Sequence, residues 1–215
     1  MNHQIKSKER VATHGEVFTS QREVNAMLDL VKQETERIDS RFLEPACGDG
    51  NFLIEILRRK LAVCEGRVKA KQYTQLQYEQ AAVQAVSSIY GIELLADNVE
   101  ACRKRLLDFF TEQYHALFKS KCKDDCIRSV EYLLSKNIIQ GNALTYKRVD
   151  EPDQWIHICE WGFFGKGMVN RCDYLFSELI GDAEPDSLQT VNTPAKTHPL
   201  IHFLKLSADA YHEQL

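Results

Sequence analysis

Carboxylates and glycines lie close together in one short stretch, and a further carboxylate ends a later apolar segment. Glu44-Pro-Ala-Cys-Gly-Asp-Gly50 joins an acid to two glycines, which tolerate positive φ and let a ligand approach the backbone. Ile89-Tyr-Gly-Ile-Glu93 is apolar and ends in an acid. A carboxylate at the end of a strand, beside a glycine loop, can accept both hydroxyls of a ribose. The pattern indicates a nucleoside-binding site, although a surface Glu at a strand end is also common.

The segments on either side of the glycine loop are predicted to be a strand and a helix, which would position a nucleoside-binding site. Phe42 and Leu43 end a short buried strand, and Pro45 cannot continue a ladder. From Asn51 the apolar spacing becomes helical, with Leu53 and Leu57 among the repeating positions. Strand, glycine loop and helix follow one another, and this arrangement brings a nucleotide-like ligand to a helix N-terminus.

Glu44-Pro-Ala-Cys-Gly-Asp-Gly-Asn-Phe52 resembles the first S-adenosylmethionine-binding motif of the adenine-N6 DNA methyltransferases. These enzymes are a branch of the Rossmann-like methyltransferases. Gly91-Ile-Glu-Leu-Leu-Ala-Asp-Asn98 matches the second motif of the family, and the resemblance covers roughly residues 14–145. It implies that Glu93 binds the ribose of S-adenosylmethionine. It also implies cofactor contacts from Glu44, Pro45, Ala46, Cys47, Gly48, Gly50 and Phe52.

A capped helix precedes the glycine loop. Ser20 and Glu23 have capping-box spacing, so we expect an amphipathic helix to begin there. His14-Gly-Glu-Val-Phe-Thr-Ser20 resembles the N-terminal cofactor motif of the family, in which a Thr touches the methionine carboxylate. Thr19 is the matching residue, and Phe18 is expected to lie against the cofactor. The alternative is a core helix with no ligand.

Asn137-Ile-Ile-Gln-Gly-Asn-Ala-Leu144 predicts a third strand and its loop, and resembles the third family motif. That motif commonly has an acid that binds the adenine amine of the cofactor. This chain has Asn142, followed by Ala143, and an amide can still accept that hydrogen bond. Asn142 as a turn residue is the alternative.

The catalytic motif of the family, Asn or Asp followed by two prolines and an aromatic residue, is missing. That motif accepts hydrogen bonds from the amine of a flipped adenine and stacks on the base. All five prolines of this chain are isolated, and Trp155-Ile-His-Ile-Cys-Glu-Trp-Gly-Phe-Phe164 stands in the expected place. We predict a fourth strand without the motif. A substitute built from Glu160 and its aromatic neighbours is the alternative.

These patterns predict an α/β, Rossmann-like methyltransferase fold that is truncated after the fourth strand, with helices on both faces of a parallel sheet. An additional helix is expected at about 74–87, and a polar loop at 165–171 before a helix at 174–180. The predicted strands are 42–44, 89–93, 137–140 and 156–160. The predicted regions are an irregular, flexible N-terminus at 1–13, a cofactor-binding domain at 14–180, and a linker with a C-terminal element at 181–215.

Composition limits the function classes. The chain has 215 residues, 44% of them hydrophobic, which is enough for one sizeable core. No apolar run is long enough for a membrane span, and the polar start argues against a secretory signal. Seven cysteines, an odd number, fit reduced thiols in a cytoplasmic protein. Zinc at Cys122 and Cys126 with His115 is not expected, because no fourth ligand has suitable spacing.

The charge is unevenly distributed. The net charge of −4 argues against a self-sufficient nucleic-acid binder. Residues 149–215 carry eleven acidic and four basic side chains, net −7, which leaves +3 for residues 1–148. Basic runs lie at 58–60, 103–105 and 119–123. Such runs are usually solvated helix faces, and contact with phosphates is the alternative.

Three functional hypotheses follow. The first is an S-adenosylmethionine-dependent methyltransferase-like protein related to adenine-N6 DNA methylation, from a restriction-modification or mobile-element system. The second is a catalytically defective cofactor-binding or regulatory subunit that requires a partner chain. The third is a methyltransferase for another substrate. DNA is the expected partner, alone or with a partner subunit, and homo- or hetero-oligomers are expected.

Overall fold

The computed structural model describes residues 6–180 and 193–208. This part of the chain contains eight α-helices, three short 3-10 helices and eight strands. The helices are α1 (Lys8–His14), α2 (Gln21–Asp29), α3 (Lys32–Thr35), α4 (Asn51–Lys69), α5 (Gln75–Ser87), α6 (Ala96–Phe118), α7 (Asp124–Asn137) and α8 (Phe176–Ile180). The strands are β1 (Phe42–Glu44), β2 (Ile89–Glu93), β3 (Ile138–Asn142), β4 (Lys147–Arg148), β5 (His157–Phe164), β6 (Met168–Leu175), β7 (Lys196–Thr197) and β8 (Ile201–His202).

Three parallel strands form the centre of the first sheet. β1 pairs with β2, with Phe42 opposite Ile89, and β2 pairs with β3, with Gly91 opposite Ile138. The two-residue β4 runs antiparallel to β3, so the strand order is β1-β2-β3-β4. The predicted bounds of the first two strands are confirmed, and the third strand is shifted by one or two residues.

The long helices α4 to α7 cover one face of this sheet. Sequential parallel strands joined by right-handed crossovers place their connecting helices on the same side. Gly91 faces this layer, because a Cβ at Gly91 would lie 3.0 Å from Cδ1 of Leu53 on α4. The expectation of helices on both faces is therefore wrong for the long helices.

An antiparallel hairpin covers the other face. β5 pairs with β6, with His157 opposite Leu175, and belongs to a second sheet with β7 and β8. Since side chains alternate along a strand, Ile92 points away from α4. It packs with Ile139, Ile156 and Phe176.

The predicted parallel strand at 156–160 is therefore wrong in its pairing. The chain reverses at Gly165–Gly167, so β5 pairs with the segment that follows it instead of extending the parallel sheet. The polar loop predicted at 165–171 is mostly strand, and the helix predicted at 174–180 begins at Phe176.

Asn137, the last residue of α7, joins the two sheets just before β3 begins. Its Nδ2 donates to the carbonyls of Ser87 and Ile89, at 3.1 and 3.0 Å, and its Oδ1 accepts from Trp161 Nε1 on β5 at 2.9 Å. These buried bonds satisfy the amide on both sides and fix the hairpin against the parallel strands.

Local capping signals begin two helices. Ser20 and Glu23 form a reciprocal capping box at α2, as predicted. Thr74 and Gln77 form another at α5, and the additional helix predicted at about 74–87 is confirmed. Burial of apolar side chains from α4, α5 and α6 against the sheet provides the main core.

The N-terminal region differs from the prediction. Instead of an irregular segment, residues Lys8–His14 form α1, with Ser7 accepting from the Arg10 N–H and Gly15 ending the helix in the left-handed region. Most of the predicted linker, 181–192, lies outside the described residues, as does 209–215.

Candidate functional site

A cleft of about 570 Å³ opens at the carboxyl ends of the three parallel strands. This is the edge where open α/β sheets bind ligands, and the volume lies in the range of small-molecule sites. The ends of β1, β2 and β3 form its floor, together with the glycine loop and the segment before α2. The lining residues are Gly15, Glu16, Val17, Phe18, Thr19, Glu44, Pro45, Ala46, Cys47, Gly48, Asn51, Phe52, Glu93, Leu94, Leu95, Asn98, Gly141, Asn142, Ala143 and Leu144.

The structure brings the predicted site residues together with one exception. Eleven of the twelve line the cleft, although they come from segments that are up to 125 residues apart. The exception is Gly50, the N-cap residue of α4. Gly50 has φ +93°, and a Cβ there would lie 2.7 Å from Sγ of Cys102 on α6. Its role is to let α4 and α6 approach each other closely.

The glycine loop curves beneath Phe18. Gly48 has φ +54°, and a Cβ at this position would lie 3.0 Å from Cε1 of Phe18. Any larger residue would be strained and would push the aromatic ring, so glycine keeps the loop backbone accessible at the floor of the cleft.

Glu93 is buried where β2 ends and is held by the loop. One oxygen accepts from the Gly48 N–H at 2.8 Å. The other accepts from the Leu95 N–H at 2.9 Å and from Asn98 Nδ2 at 3.4 Å. These donors fix the carboxylate in the cleft wall and connect β2 to the glycine loop. An ionised carboxylate has about four acceptor sites, so it can still accept from a ligand.

Glu44 is the other acid of the cleft that was predicted from the sequence. Burial raises the pKa of its carboxyl, and a hydrogen bond from the Ala46 N–H opposes part of that shift. Glu44 is only half-buried and has no cationic partner within the described part of the chain. It can therefore offer its charge to a cation in the cleft.

An ion-pair network that was not predicted closes the side of the cleft next to α1. The Arg10 guanidinium bonds both oxygens of Glu16, at 2.6 and 2.8 Å, and also pairs with Asp97. Asn98 Nδ2 donates to Glu16 at 2.6 Å. Burial alone would raise the pKa of Glu16, but the bonds from Arg10 and Asn98 outweigh it and lower the pKa.

The contacts between Arg10, Glu16 and Asn98 are not evident from the sequence. Glu16 and Asn98 both lie within motifs that were recognised, but their contact spans 82 residues. Arg10 lies in the polar segment that was expected to be irregular. The helical spacing of Lys8–His14 is too short to give a clear signal.

Asn142 acts as a turn residue. Its Oδ1 accepts from the N–H groups of Leu144 and Thr145, at 2.9 and 3.3 Å. This is the alternative that the sequence left open. Asn142 also lines the cleft beside Ala143, so its amide nitrogen is the group that remains for a ligand.

Thr19 is positioned through its backbone. Asn51 Nδ2 donates to the Thr19 carbonyl at 3.1 Å, and Arg105 donates to Asn51 Oδ1 at 2.7 Å. This chain of bonds ties the segment before α2 to the start of α4, so the hydroxyl-bearing residue and the glycine loop face the same cleft.

The family model described as "MmeI, DNA-methyltransferase domain" matches residues 18–161, about two thirds of the chain. The chain belongs to this family. The predicted membership of a DNA methyltransferase family is therefore confirmed. No curated protein and no solved structure matches the chain.

The match to the MmeI family includes nearly the whole cleft. It begins at Phe18 and contains the three parallel strands, the glycine loop and Glu93. It ends at Trp161, in the middle of β5, so β6 and the rest of the second sheet lie beyond it.

The stretch 155–164 lies away from the cleft. Glu160 pairs with Arg41 at 2.5 Å, and Trp161 is buried against Tyr132 and Asn137. Neither residue lines the cleft. The structure therefore does not support a substitute for the catalytic motif from Glu160.

Three further features describe this part of the chain. Among the described helices, none is long and apolar enough to cross a membrane. Within residues 6–180 and 193–208, no three His, Cys, Asp or Glu side chains are grouped as a metal site requires. All seven cysteines are free thiols.

Proposed function

We propose that the chain is an S-adenosylmethionine-dependent methyltransferase related to the adenine-N6 DNA methyltransferases. The observation that carries the proposal is the cleft itself. It places Glu93, Glu44 and an open glycine loop around one space at the ends of parallel strands, in a chain that belongs to the MmeI DNA-methyltransferase domain family.

The lining residues fit the parts of this cofactor. Glu93, at the end of β2, suits the ribose hydroxyls, and Gly48 leaves room for the ligand above the loop. Glu44 suits the methionine ammonium, and Thr19 suits the methionine carboxylate. Asn142 would donate from its amide to the adenine ring. When bound, S-adenosylmethionine supplies an electrophilic methyl group.

The chemistry of adenine explains what a complete enzyme must add. The exocyclic amine is a poor nucleophile because its lone pair is delocalised into the ring. Acceptors that bind the amine hydrogens, together with a stacking aromatic residue, orient the lone pair toward the methyl group. None of the isolated prolines of this chain forms the Pro-Pro turn on which the family places these groups.

The absence of the Pro-Pro motif leads to a second candidate function. In the described residues, β1 is the edge of the parallel sheet, and β5 pairs in the other sheet instead of beside it. A strand that carries the catalytic groups would have to come from elsewhere. This favours a cofactor-binding or regulatory subunit that becomes active only with a partner.

Binding of S-adenosylmethionine, measured by isothermal titration calorimetry, tests the premise that both candidates share. We predict that Glu93→Ala weakens binding on the order of 100-fold, because the charge-assisted hydrogen bonding to the ribose is lost. Glu100→Ala, an exposed acid on α6 outside the cleft, is the matched control and should bind like the wild type. If the Glu93→Ala variant is folded and binds S-adenosylmethionine as tightly as the wild type, the assignment of Glu93 to the ribose is contradicted.

Transfer of a labelled methyl group to unmodified DNA separates the two candidates. The chain is assayed alone and with proteins encoded nearby. Activity of the chain alone supports a complete enzyme, and activity only with a partner supports the subunit. Cofactor binding without methyl transfer in any combination argues against both.

A further inference from the structure

A second cavity, of about 680 Å³, lies between α7, β3, β4 and the hairpin. It shares no lining residue with the cofactor cleft. Its walls are strongly polar. The side chains that line it are Arg103, Ser135, Lys136, Ile139, Gln140, Arg148, Asp150, Gln154, His157, Cys159, Arg171, Asp173, Ala195 and Lys196.

Positive charge predominates in this cavity, although the chain as a whole is acidic. Five of the lining side chains are Lys or Arg, and only two are carboxylates. Each carboxylate is already paired with a cation on its own strand or turn. Asp150 pairs with Arg148, and Asp173 binds Arg171 through two bonds of 2.7 and 2.8 Å.

Three cations remain without a carboxylate partner among the described residues: Arg103, Lys136 and Lys196. Arg103 donates to the backbone carbonyls of Ile138 and Ser135, which do not neutralise its charge. The Lys136 ammonium lies 5.5 Å from the centre of the Tyr132 ring. Lys136 and Lys196 are half-buried, so water screens them incompletely.

The cations are close enough to affect one another. Burial lowers the pKa of Lys136, and the nearby charges of Arg171 and Arg148 lower it further. The pKa of Arg103 is lowered by burial and also by Arg148. An anion in the cavity would relieve this repulsion.

We propose that this cavity binds a phosphate ester, with Arg103, Lys136 and Lys196 holding the phosphate. A phosphate carries several oxygen acceptors, and Arg and Lys are its usual partners. The volume admits a whole nucleotide, and Gln154 and His157 provide polar groups for the remainder of the ligand. The source of the phosphate is either a free nucleotide or the backbone of a nucleic acid.

The test is calorimetry on the full chain at low ionic strength, with ADP, inorganic pyrophosphate and a short DNA duplex as separate probes. The variant is Lys136→Gln combined with Lys196→Gln. We expect this double variant to weaken binding of whichever probe binds the wild type by at least roughly tenfold. Binding of S-adenosylmethionine should not change, because the two cavities are separate.

The control is Lys121→Gln combined with Lys166→Gln, two exposed lysines that do not line the cavity. It removes the same net charge and should bind like the wild type. ADP or pyrophosphate binding that is lost only in the first double variant identifies a free nucleotide or phosphate as the source. Duplex binding alone, lost in the same variant, identifies the nucleic-acid backbone.

Failure of all three probes to bind, or an equal loss in both double variants, overturns the proposal. A thermal-shift measurement on the wild type keeps the proposal testable if the variants do not fold. At low millimolar concentration, where general salting-out is negligible, sodium phosphate should raise Tm above the value in sodium chloride of equal ionic strength. Equal Tm values in the two salts also overturn it.

Discussion

Glu44 lies where β1 meets the glycine loop, and burial raises the pKa of its carboxyl above the ordinary value. As the pH falls, such a group becomes protonated before an exposed glutamate does. Only the ionised form can pair with a cationic ligand group. The acid-base behaviour of Glu44 therefore tests which part of the proposed cofactor lies next to it.

We predict that affinity for S-adenosylmethionine falls as the pH is lowered from 7.5 to 5, because Glu44 gains a proton and loses its attraction for the methionine ammonium. Glu44→Gln should bind about tenfold more weakly at pH 7.5 and show a flatter pH dependence. Calorimetric titrations of both proteins across this range measure the difference. Parallel pH profiles would contradict the assignment of Glu44.

At this scale, much of the cleft could be predicted from the sequence. Glu44, Gly48 and Glu93 lie at strand ends within short motifs, and parallel strands bring their carboxyl ends to one edge of the sheet. The contacts between Arg10, Glu16 and Asn98 could not be predicted, because they depend on how a distant helix packs. For Asn142, both roles were chemically possible, and only the geometry shows that its Oδ1 is used in the turn.

Among the secondary-structure elements, helices α2 and α5 begin where their capping residues predict. The β5–β6 hairpin, in contrast, could not be predicted from local sequence patterns. The capping boxes at Ser20 and Thr74 determine where α2 and α5 begin. β6 contains Asp173 and also Arg171, which lies in the polar loop predicted from the sequence at 165–171. In the fold they neutralise each other, and Arg171 is only 1% exposed. A strand with a buried ion pair cannot be recognised from hydrophobic periodicity.

The antiparallel hairpin leads to a direct prediction. Glu160 on β5 lies opposite Cys172 on β6. Opposite residues of antiparallel strands have Cα atoms about 4.5 to 5.5 Å apart, within the range that a disulfide spans. Glu160→Cys should therefore form a disulfide with Cys172 under mild oxidation, which can be measured by mass spectrometry of peptides from the non-reduced protein.

Glu178→Cys on α8 is the control, because residue 178 is not opposite Cys172. It should not form this bond. If Glu160→Cys also fails to form the bond while folded, residues 157–164 do not pair with 168–175. The parallel arrangement expected from the sequence would then have to be reconsidered.

For the whole molecule, a buried lysine links stability to pH. Lys60 on α4 is 0% exposed and donates to the Ile38 carbonyl at 3.1 Å, to the Ser40 carbonyl and to Ser88 Oγ at 2.6 Å. No carboxylate pairs with it among the described residues. Burial lowers the pKa of Lys60 from 10.5 to about 7. It belongs to a basic run, but it is not part of a solvated face.

Above pH 7 the folded chain loses the Lys60 proton, while the unfolded chain keeps it up to its ordinary pKa. The unfolded state then binds more protons, so the free energy of unfolding rises with pH. We predict that the wild type gains about 2 kcal/mol relative to Lys60→Met between pH 7 and 9. Urea unfolding at several pH values measures this, and a constant difference would show that Lys60 keeps its ordinary pKa.

The parallel sheet, which carries the cleft, and the antiparallel sheet differ in how far the family match covers them. Three parallel strands and the cleft at their ends form the part that matches the MmeI family, whereas most of the antiparallel sheet lies outside the matched range. The proposed cofactor site therefore lies within the first sheet and the segments around it. On the proposed function, the groups that act on a DNA base would be added to this part.

A crystal structure of the chain with S-adenosylhomocysteine bound tests the central claim most directly. We predict a nucleoside above the glycine loop, with its ribose hydroxyls donating to Glu93 and its amino-acid end between Thr19 and Glu44. A ligand bound elsewhere, or with its ribose away from Glu93, would contradict the account.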